Sequence, residues 1–297
     1  MEAIDEVRRF LAELTGPADT PITRCVEQAK AFAEATPLAD GVTVAAAELG
    51  GGDPRRGQRN PDLAAPPRRR LCHGRSGRVT RLHDRIRPAV GARVVSVDYR
   101  PAPDYPFPAA VEDALAVYRS LIEVGVPARA LAVGGESAGG GLAIALLLAI
   151  RKAGLPLPAC AVAMSPWTNL LCEGDTYVSQ AARDPLLTRS MLLEMAGTYL
   201  AGADPRSPLA SPGLADLTGL PPLLIQTGGA EVLLSDAERL AQGAREAGVA
   251  AKLEVWDDMI HIWHMFHAML PQGAEAIDRV ADFVLSPWSP VNPGPGG

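Results

Sequence analysis

The sequence predicts an α/β protein in which a mostly parallel central sheet is covered by helices on both faces and carries a helical cap. Three observations lead to this prediction. Short apolar runs alternate with amphipathic helical segments, an order typical of parallel sheets covered on both faces. The chain has 297 residues, 47% of them hydrophobic, which is enough for one large domain or two small ones. A glycine-rich stretch also separates one predicted strand from the helix that follows it.

The first 40 residues predict helices. Apolar side chains recur with helical spacing at Ile4, Phe10, Leu11 and Leu14, and the acids and arginines between them distinguish this segment from a signal peptide. The stretch TGPADTP interrupts the pattern before ITRCVEQAKAFAEA resumes it. The segment GVTVAAAEL is compatible with a first strand. From about residue 54 to residue 87 the periodicity disappears, and arginines accumulate.

From residue 91 onwards the predicted strands and helices alternate regularly. Val94–Val97 is a short apolar strand, and a proline-rich loop and an amphipathic helix follow in PAPDYPFPAAVEDALAVYRSLIEVG. Further strands are predicted in ALAVGG, ACAVAM, PPLLIQTGG and AKLEVWDDM. Helices are predicted in LAIALLLAIRKAG, DAERLAQGAREAG and AEAIDRVADFVLS. Residues of about 170–215 are predicted to form loops and short helices. Residues 291–297 are predicted to form a disordered tail.

Charge and composition exclude several classes of function. A net charge of −6 and a pI near 5.4 argue against nucleic acid and anionic membranes as partners. No apolar run has the length of a bilayer span, and the longest, Leu142–Ile150, predicts a buried helix. The cysteines, Cys25, Cys72, Cys160 and Cys172, are too widely spaced for a metal site. With no export signal, we expect reduced thiols and a cytoplasmic protein.

The stretch GGESAGG contains the pattern G-x-S-x-G, with Ser137 between Gly135 and Gly139. A strand precedes it and a helix follows, which is the context of a nucleophile elbow. The two glycines leave room for the sharp turn, and the amide of Ala138 at the helix start can point at a developing oxyanion. The alternative is a glycine-rich turn with an incidental serine.

At these residues the chain resembles the hormone-sensitive-lipase family of bacterial carboxylesterases. The matching stretches are VDYRPAPDYPFPAAVEDALAVYRSL, GGESAGGGLAIALLLA, SPWTNL and WDDMIHIWHMFHAMLP. The resemblance implies an α/β-hydrolase core over about residues 41–290, N-terminal cap helices in residues 1–40 and a cap insertion at about 170–215. It also implies small acyl esters as substrates, no metal or cofactor, and by analogy a homodimer formed through the sheet edge.

Among five histidines, His261 fits the role of the catalytic base. The base of an α/β-hydrolase comes late in the chain, in a loop after the last strand, and His261 follows the strand AKLEVW. It is also the position that matches the family. We expect His264 and His267 to be surface or pocket-wall residues, and His73 and His83 lie far upstream. The alternative for His261 is a packed core histidine.

The acid of the triad is less clearly marked. The family usually has an aspartate just after the strand PPLLIQTGG, but this chain has Ala230 there and Glu231 next. Glu231 serves as the acid if its longer side chain compensates for the shift of one residue; otherwise it is a solvated glutamate at a helix start. Asp236 is the fallback, and we expect it on the surface of a helix. The stretch Asp184–Leu187 is predicted either to line the acyl pocket or to begin a helix.

The stretch PPRRRLCHG, Pro66–Gly74, departs from the family pattern. The family has a His-Gly-Gly-Gly-aromatic motif upstream of the VDYR strand, and two backbone amides of that motif form most of the oxyanion hole. This chain lacks the motif, so the Ala138 amide is the one donor that the sequence offers. Losing one oxyanion donor costs about 10²–10³-fold in turnover. We also expect the sheet to lack a strand here.

Codon choice permits an explanation. Pro67–Gly74 can be encoded as CCA CGG CGG CGG CTA TGT CAT GGG, and the same bases read from the second position spell His-Gly-Gly-Gly-Tyr-Val-Met-Gly. We hypothesise that about residues 52–82 are read out of frame relative to an active ancestor, and the codons of the gene test this. A basic loop that binds phosphate or nucleic acid and a solvated insertion are the alternatives.

The sequence therefore predicts a carboxylic ester hydrolase acting on short-chain acyl esters. Ser137 attacks the ester, His261 acts as base and then as acid, and Glu231 orients His261. The partner is a small-molecule ester. The alternative is a catalytically impaired hydrolase-fold protein that binds a small ligand, an interpretation favoured by Ala230 and by the missing glycine motif.

Overall fold

Six strands form one parallel sheet in the computed structural model of the chain, which describes residues 2–15, 70–74, 89 and 91–286. The strands are β1 (Arg70–Gly74), β2 (Arg93–Val97), β3 (Leu131–Glu136), β4 (Cys160–Met164), β5 (Leu223–Gly228) and β6 (Ala251–Trp256). Their order across the sheet is β2-β1-β3-β4-β5-β6, and every neighbouring pair is parallel. The predicted α/β class with a parallel central sheet is confirmed.

The helices follow the predicted alternation with the strands. They are α1 (Glu2–Thr15), α2 (Ala109–Glu123), α3 (Ala138–Lys152), α4 (Thr176–Ser179), α5 (Arg189–Leu200), α6 (Leu234–Glu246) and α7 (Pro271–Leu285). Short 3-10 helices span Ala128–Ala130, Pro212–Leu214 and Trp263–Phe266. The β4–β5 connection (residues 165–222) holds α4 and α5, and it contains the stretch predicted as a cap insertion.

Two predicted elements and the predicted tail fall outside the described residues. These are the second N-terminal helix, the strand GVTVAAAEL and residues 291–297. Most of the stretch hypothesised to be out of frame also lies there. These interpretations remain predictions.

Alternating side chains of the strands build two apolar layers. Val133 and Ile225 face a core formed with α2, α3 and α6, whereas Ala132 and Leu224 face α7 on the opposite side of the sheet. This alternation is the period of two that an extended strand imposes. Burying an aliphatic side chain contributes about 1.5–3 kcal/mol, so both layers stabilise the sheet and fix the positions of its carboxyl ends.

The longest apolar run of the sequence is a buried helix, as predicted. Residues 143–150 of α3 are all buried, because α3 packs under the sheet against α2. Among the residues that the structure describes, no helix has the length and apolar character needed to cross a membrane. Burial also raises the pKa of the Cys160 thiol to about 12 and that of Cys172 to about 11.

Strand β1 corrects one expectation. The sheet was expected to lack a strand at the arginine-rich stretch, but Arg70–Gly74 pairs with β2 on one side and with β3 on the other. The physical reason is that a parallel strand is held by backbone N–H and C=O groups, which every residue except proline supplies. Arginine composition therefore does not prevent this segment from pairing with a strand on each side.

Helix α1 packs on the loop that follows β6. Ile4, Val7 and Leu11 form one apolar stripe with a helical spacing of three and four residues, and they share a cluster with Ile260 and Trp263. A nearby arginine of α1 adds a hydrogen bond from its side chain to the backbone of the same loop. The N-terminal helix thus stabilises the segment that carries the predicted base.

Candidate active site

Ser137 stands at a sharp turn between β3 and α3. Its backbone has φ 54° and ψ −123°, a conformation that costs a non-glycine residue about 1–3 kcal/mol. The turn is held by hydrogen bonds, because the Ser137 amide donates to the Met164 carbonyl at 2.9 Å and the Ser137 carbonyl accepts from the Trp167 amide at 3.0 Å. The serine therefore sits at the carboxyl edge of the sheet, where a nucleophile elbow presents its hydroxyl.

Glycines make this turn possible. A Cβ atom on Gly135 would overlap the carbonyl of Gly139, and a Cβ atom on Gly141 would overlap the carbonyl of Trp167. The G-x-S-x-G pattern accounts for Gly135 and Gly139 but not for Gly141. The signal for Gly141 was the run of three glycines at the start of α3, which allows α3 to approach the backbone that follows β4.

His261 lies in the loop after β6, and it is buried. Its Nε2 is 2.9 Å from the Oγ of Ser137, and its Nδ1 is 2.6 Å from the Oε2 of Glu231. Because an ionised carboxylate only accepts hydrogen bonds, the contact with Glu231 assigns the proton to Nδ1. Nε2 is then free to accept the proton of the serine hydroxyl.

Glu231 lies in the loop after β5 and is 0% exposed. Its Oε2 faces His261, and its Oε1 accepts hydrogen bonds from Thr227 Oγ1 at 2.5 Å, Gly228 N at 2.6 Å and Ser165 Oγ at 3.0 Å. Three donors therefore hold this carboxylate oxygen in place. The alternative of a solvated glutamate at a helix start is wrong, since the side chain is fully buried.

The backbone of the loop after β5 is fixed by two hydrogen bonds to the loop after β6. Ala230 is buried, and its amide donates to the carbonyl of Met259 at 3.0 Å. Gly229 donates to the carbonyl of Trp256 at 2.8 Å. These two bonds join the β5 loop to the β6 loop, so that Glu231, and not the residue before it, points at the histidine.

Asp236 corrects a second expectation. It was expected on the surface of a helix, but it is 1% exposed. Its Oδ2 accepts from the amides of Thr168 and Asn169 at 2.9 Å each, and its Oδ1 accepts from the Tyr177 hydroxyl at 3.1 Å. Burial raises the pKa of Asp236 to about 7. This carboxylate joins α6 to the β4–β5 connection and makes none of these contacts with the histidine.

His264 corrects a third expectation. It was predicted at the surface or in the pocket wall, yet it is 0% exposed, and its Nε2 lies 2.9 Å from the Oε1 of Gln226. Burial lowers the pKa of His264 to about 3, so the ring is neutral and belongs to the packing under β5. His267 is half-buried. His73 contributes its backbone to β1, and His83 lies outside the described residues.

The Ala138 amide stands beside the serine at the first position of α3. Ala138 is exposed, and amides of a first helical turn have no acceptor within the helix. The helix dipole also favours negative charge there. Strand β1 ends next to β3, with His73 paired to Gly134. Residues 75–88 lie outside the described part of the chain.

Ser165, Thr227 and Thr176 were not predicted to contact the site, and Asp184 was predicted only as a wall of the acyl pocket or a helix start. Ser165 and Thr227 donate to the carboxylate of Glu231, and Thr176 and Asp184 bond to the backbone of the residue that follows Glu231. The available signal was positional, because Ser165 directly follows β4 and Thr227 is the penultimate residue of β5. Carboxyl ends of parallel strands meet at one edge of a sheet, which brings such side chains together.

Comparison with protein families identifies the fold. Residues 71–265 match a family model described as alpha/beta hydrolase fold. An acetyl-hydrolase of Streptomyces hygroscopicus is 53% identical over 196 residues, which cover 66% of this chain and 66% of that protein. An esterase of Acinetobacter venetianus is 32% identical over 195 residues, covering 65% of this chain and 64% of that protein. The matched part thus spans slightly less than two thirds of these curated relatives.

Solved structures resemble nearly the whole chain. The crystal structure of EstE5 soaked with p-nitrophenyl butyrate is similar with a TM-score of 0.87 and 36% identity, covering 98% of this chain and 100% of that one. The structure of an esterase from the bacterial hormone-sensitive lipase family is similar with a TM-score of 0.84 and 37% identity, covering 96% and 98%.

Proposed function

The chain belongs to the hormone-sensitive-lipase family of α/β-hydrolases, and from this membership we propose that it hydrolyses carboxylic esters of short acyl chains through a serine nucleophile. The observation that carries the proposal is one continuous line of hydrogen bonds, from Ser137 Oγ to His261 Nε2 and from His261 Nδ1 to Glu231 Oε2. A hydroxyl next to a buried, oriented imidazole is the arrangement that nucleophilic acyl transfer needs.

In the first half of the reaction, Ser137 Oγ attacks the ester carbonyl carbon while His261 Nε2 accepts the hydroxyl proton. The imidazolium that forms is stabilised by the carboxylate of Glu231 at 2.6 Å. The carbonyl oxygen becomes an oxyanion, for which the Ala138 amide is a donor at the start of α3. When the tetrahedral intermediate collapses, His261 returns the proton to the leaving alcohol, and Ser137 carries the acyl group.

In the second half, water replaces the alcohol. His261 accepts a proton from water, the hydroxide attacks the acyl carbon, and the new oxyanion faces the same amide. Collapse releases the carboxylic acid and returns the proton to Ser137 Oγ. Every proton transfer in both halves uses the Nε2 of His261, so these steps need only the side chains already described.

The β4–β5 connection supports the predicted cap. It rises from the same sheet edge as Ser137 and forms an apolar cluster of its own, which includes Trp167, Tyr177, Leu187 and Leu192. We propose that this connection covers the acyl side of the site. The preference for short acyl chains is drawn from the family and from the p-nitrophenyl butyrate used on a similar esterase.

Hydrolysis of p-nitrophenyl butyrate tests the proposal, with Ser137→Ala as the matched variant and p-nitrophenyl palmitate as the long-chain comparison. We expect turnover of butyrate that Ser137→Ala abolishes and a much lower rate on palmitate. A folded protein whose hydrolysis rate equals that of Ser137→Ala would contradict the proposal.

Labelling with a fluorophosphonate separates the alternative from a simple loss of fold. Slow or absent labelling of folded protein would indicate an impaired oxyanion site and a hydrolase-fold protein that binds a ligand. Rapid labelling, lost in Ser137→Ala, supports the serine as nucleophile even where the ester chosen is a poor substrate.

A further inference from the structure

The backbone that carries Glu231 is held by side chains of the β4–β5 connection. The amide of Val232 donates to Asp184 Oδ2 at 2.9 Å, and the carbonyl of Val232 accepts from Thr176 Oγ1 at 2.7 Å. On the other side of Glu231, the Gly229 carbonyl accepts from Arg183 at 3.3 Å. The N–H and C=O groups of Val232, the residue after the proposed acid, are therefore both hydrogen-bonded to side chains of the β4–β5 connection.

Asp184 is a buried carboxylate that makes three contacts. It is 7% exposed, and its second oxygen, Oδ1, accepts from the amides of Leu186 and Leu187 at 2.9 Å and 3.0 Å. One side chain therefore fixes both its own turn and the Val232 amide. The predicted role as a helix start does not describe it, because the cap residue of α5 is Thr188, whose side chain accepts from the Met191 amide.

Arg183 contributes less than its neighbour. Its side chain is 44% exposed, and hydrogen bonds and ion pairs of exposed arginines are weak and screened by salt. Thr176 is buried, but its hydroxyl also accepts from the Ser235 amide at 3.0 Å, so it serves α6 as well. Asp184 is the buried carboxyl group of the set, and it accepts directly from the Val232 amide.

Glutamate needs this support more than aspartate does. A glutamate has one more side-chain torsion than an aspartate, so a small change of its backbone moves the carboxylate further. A displacement of about 1 Å in a catalytic group can cost about 10²-fold in rate. The contact between Glu231 Oε2 and His261 Nδ1 at 2.6 Å leaves little room for such a displacement.

We propose that Asp184 is a positioning residue for ester hydrolysis, which holds the Val232 amide so that Glu231 keeps its contact with His261. This inference rests on the function proposed above. It gives the β4–β5 connection a role in catalysis besides covering the substrate, because any movement of the turn at Asp184 moves the backbone of the acid.

Asp184→Asn tests the inference with little change of volume. The asparagine amide group must face either Val232 N or the amides of Leu186 and Leu187, and in both cases two donors oppose each other. We expect kcat to fall about 10- to 100-fold while KM changes less than threefold. Asp236→Asn is the matched control, because Asp236 is equally buried and holds the same connection without contacting residues 229–232.

A double-mutant cycle separates positioning from plain stability. In the Glu231→Gln background, Asp184→Asn should change kcat less than twofold, since the acid that it positions is already gone. The inference would be overturned if the losses of kcat in the cycle were additive. It would also be overturned if Asp184→Asn and Asp236→Asn lowered Tm equally and lowered kcat equally.

Hydrogen exchange tests whether Asp184 holds the Val232 amide, and this measurement does not depend on enzymatic activity. We expect the Val232 amide to exchange at least about tenfold faster in Asp184→Asn than in the unsubstituted protein, and no faster in Asp236→Asn. Unchanged protection of Val232 would overturn the inference. Failure of the proposed function appears separately, as hydrolysis that Ser137→Ala does not reduce.

Discussion

The Nδ1 of His261 and the Oε2 of Glu231 are 2.6 Å apart. The bond from Ala230 N to Met259 O joins the loop that carries Glu231 to the loop that carries His261. The other carboxylate oxygen, Oε1, accepts hydrogen bonds from three donors, so both oxygens of the carboxylate are fixed.

Shortening or neutralising Glu231 should therefore lower turnover to different extents. Glu231→Gln keeps the length but places no charge at His261 Nδ1, and we expect kcat to fall about 10³–10⁴-fold. Glu231→Asp keeps the charge but withdraws it from the histidine, and we expect about a 10- to 100-fold fall. Steady-state hydrolysis of p-nitrophenyl butyrate measures both. Equal activity of Glu231→Gln and the unsubstituted protein would remove Glu231 from the proposed triad.

Ser165 joins the acid to the loop of the base. Its Oγ donates to Glu231 Oε1 and accepts from the Ile262 amide, each at 3.0 Å, and its own backbone has a φ of 45°. Ser165→Ala removes both hydrogen bonds, so that Glu231 Oε1 loses one of its three donors and the Ile262 amide loses this acceptor. We expect a loss of about 1–3 kcal/mol in the free energy of unfolding and a fall of about tenfold in kcat.

Ser165→Gly provides the matched comparison for that substitution. Glycine adopts a positive φ without steric cost, so Ser165→Gly should unfold at higher urea concentration than Ser165→Ala while losing the same activity. If Ser165→Gly retains full activity, the hydroxyl has no part in catalysis and only the backbone conformation matters.

The sequence predicted those parts of the fold and site that depend on local pattern and chain order. Alternating apolar runs predicted the parallel sheet, and the strand-turn-helix context of G-x-S-x-G predicted the position of Ser137. His261 was predicted because it follows the last strand. Each of these inferences uses residues close together in sequence, whose periodicity reports directly on the local backbone.

Long-range partners were the part that the sequence did not reveal. Asp236 was expected on the surface of a helix and His264 at the surface or in the pocket wall, because polar residues are mostly exposed. Each is buried with a partner distant in sequence, Thr168 for Asp236 and Gln226 for His264. Burial of a polar group depends on whether such a partner exists. Strand β1 was missed for a related reason. Its pairing depends on its neighbours β2 and β3, and its own composition does not indicate a strand.

The glycine run after Ser137 should be as important for folding as the G-x-S-x-G pattern itself. A Cβ atom on Gly141 would overlap the Trp167 carbonyl, which is backbone and cannot rotate away. We expect Gly141→Ala to lower the free energy of unfolding by about 3 kcal/mol or more. Urea unfolding followed by circular dichroism measures the change.

Gly197→Ala is the control for that substitution. Gly197 also lies inside a helix, α5, but nothing lies within 4 Å of the position of its missing Cβ atom. Alanine there should raise the free energy of unfolding by about 0.5–1 kcal/mol, because it has the higher helix propensity. Similar effects of the two substitutions, in sign and size, would contradict the packing argument at Gly141.

Asp236 should make stability fall as the pH rises from about 4 to about 7. Burial raises its pKa in the folded protein to about 7 from an ordinary value of 3.8. Between these values the folded state keeps the proton while the unfolded state loses it, so the unfolded state binds fewer protons and the free energy of unfolding decreases with pH. A shift of this size corresponds to about 4 kcal/mol at most.

Asp236→Asn isolates this contribution, because asparagine does not titrate. The difference in unfolding free energy between the unsubstituted protein and Asp236→Asn should decline between pH 4 and pH 7 and stay constant above pH 7. Urea titrations at each pH measure it. A difference that instead grows with pH would show that the two backbone amides and the Tyr177 hydroxyl outweigh desolvation and hold the carboxylate ionised. In that case Asp236 joins α6 to the β4–β5 connection as a charged group over the whole neutral range.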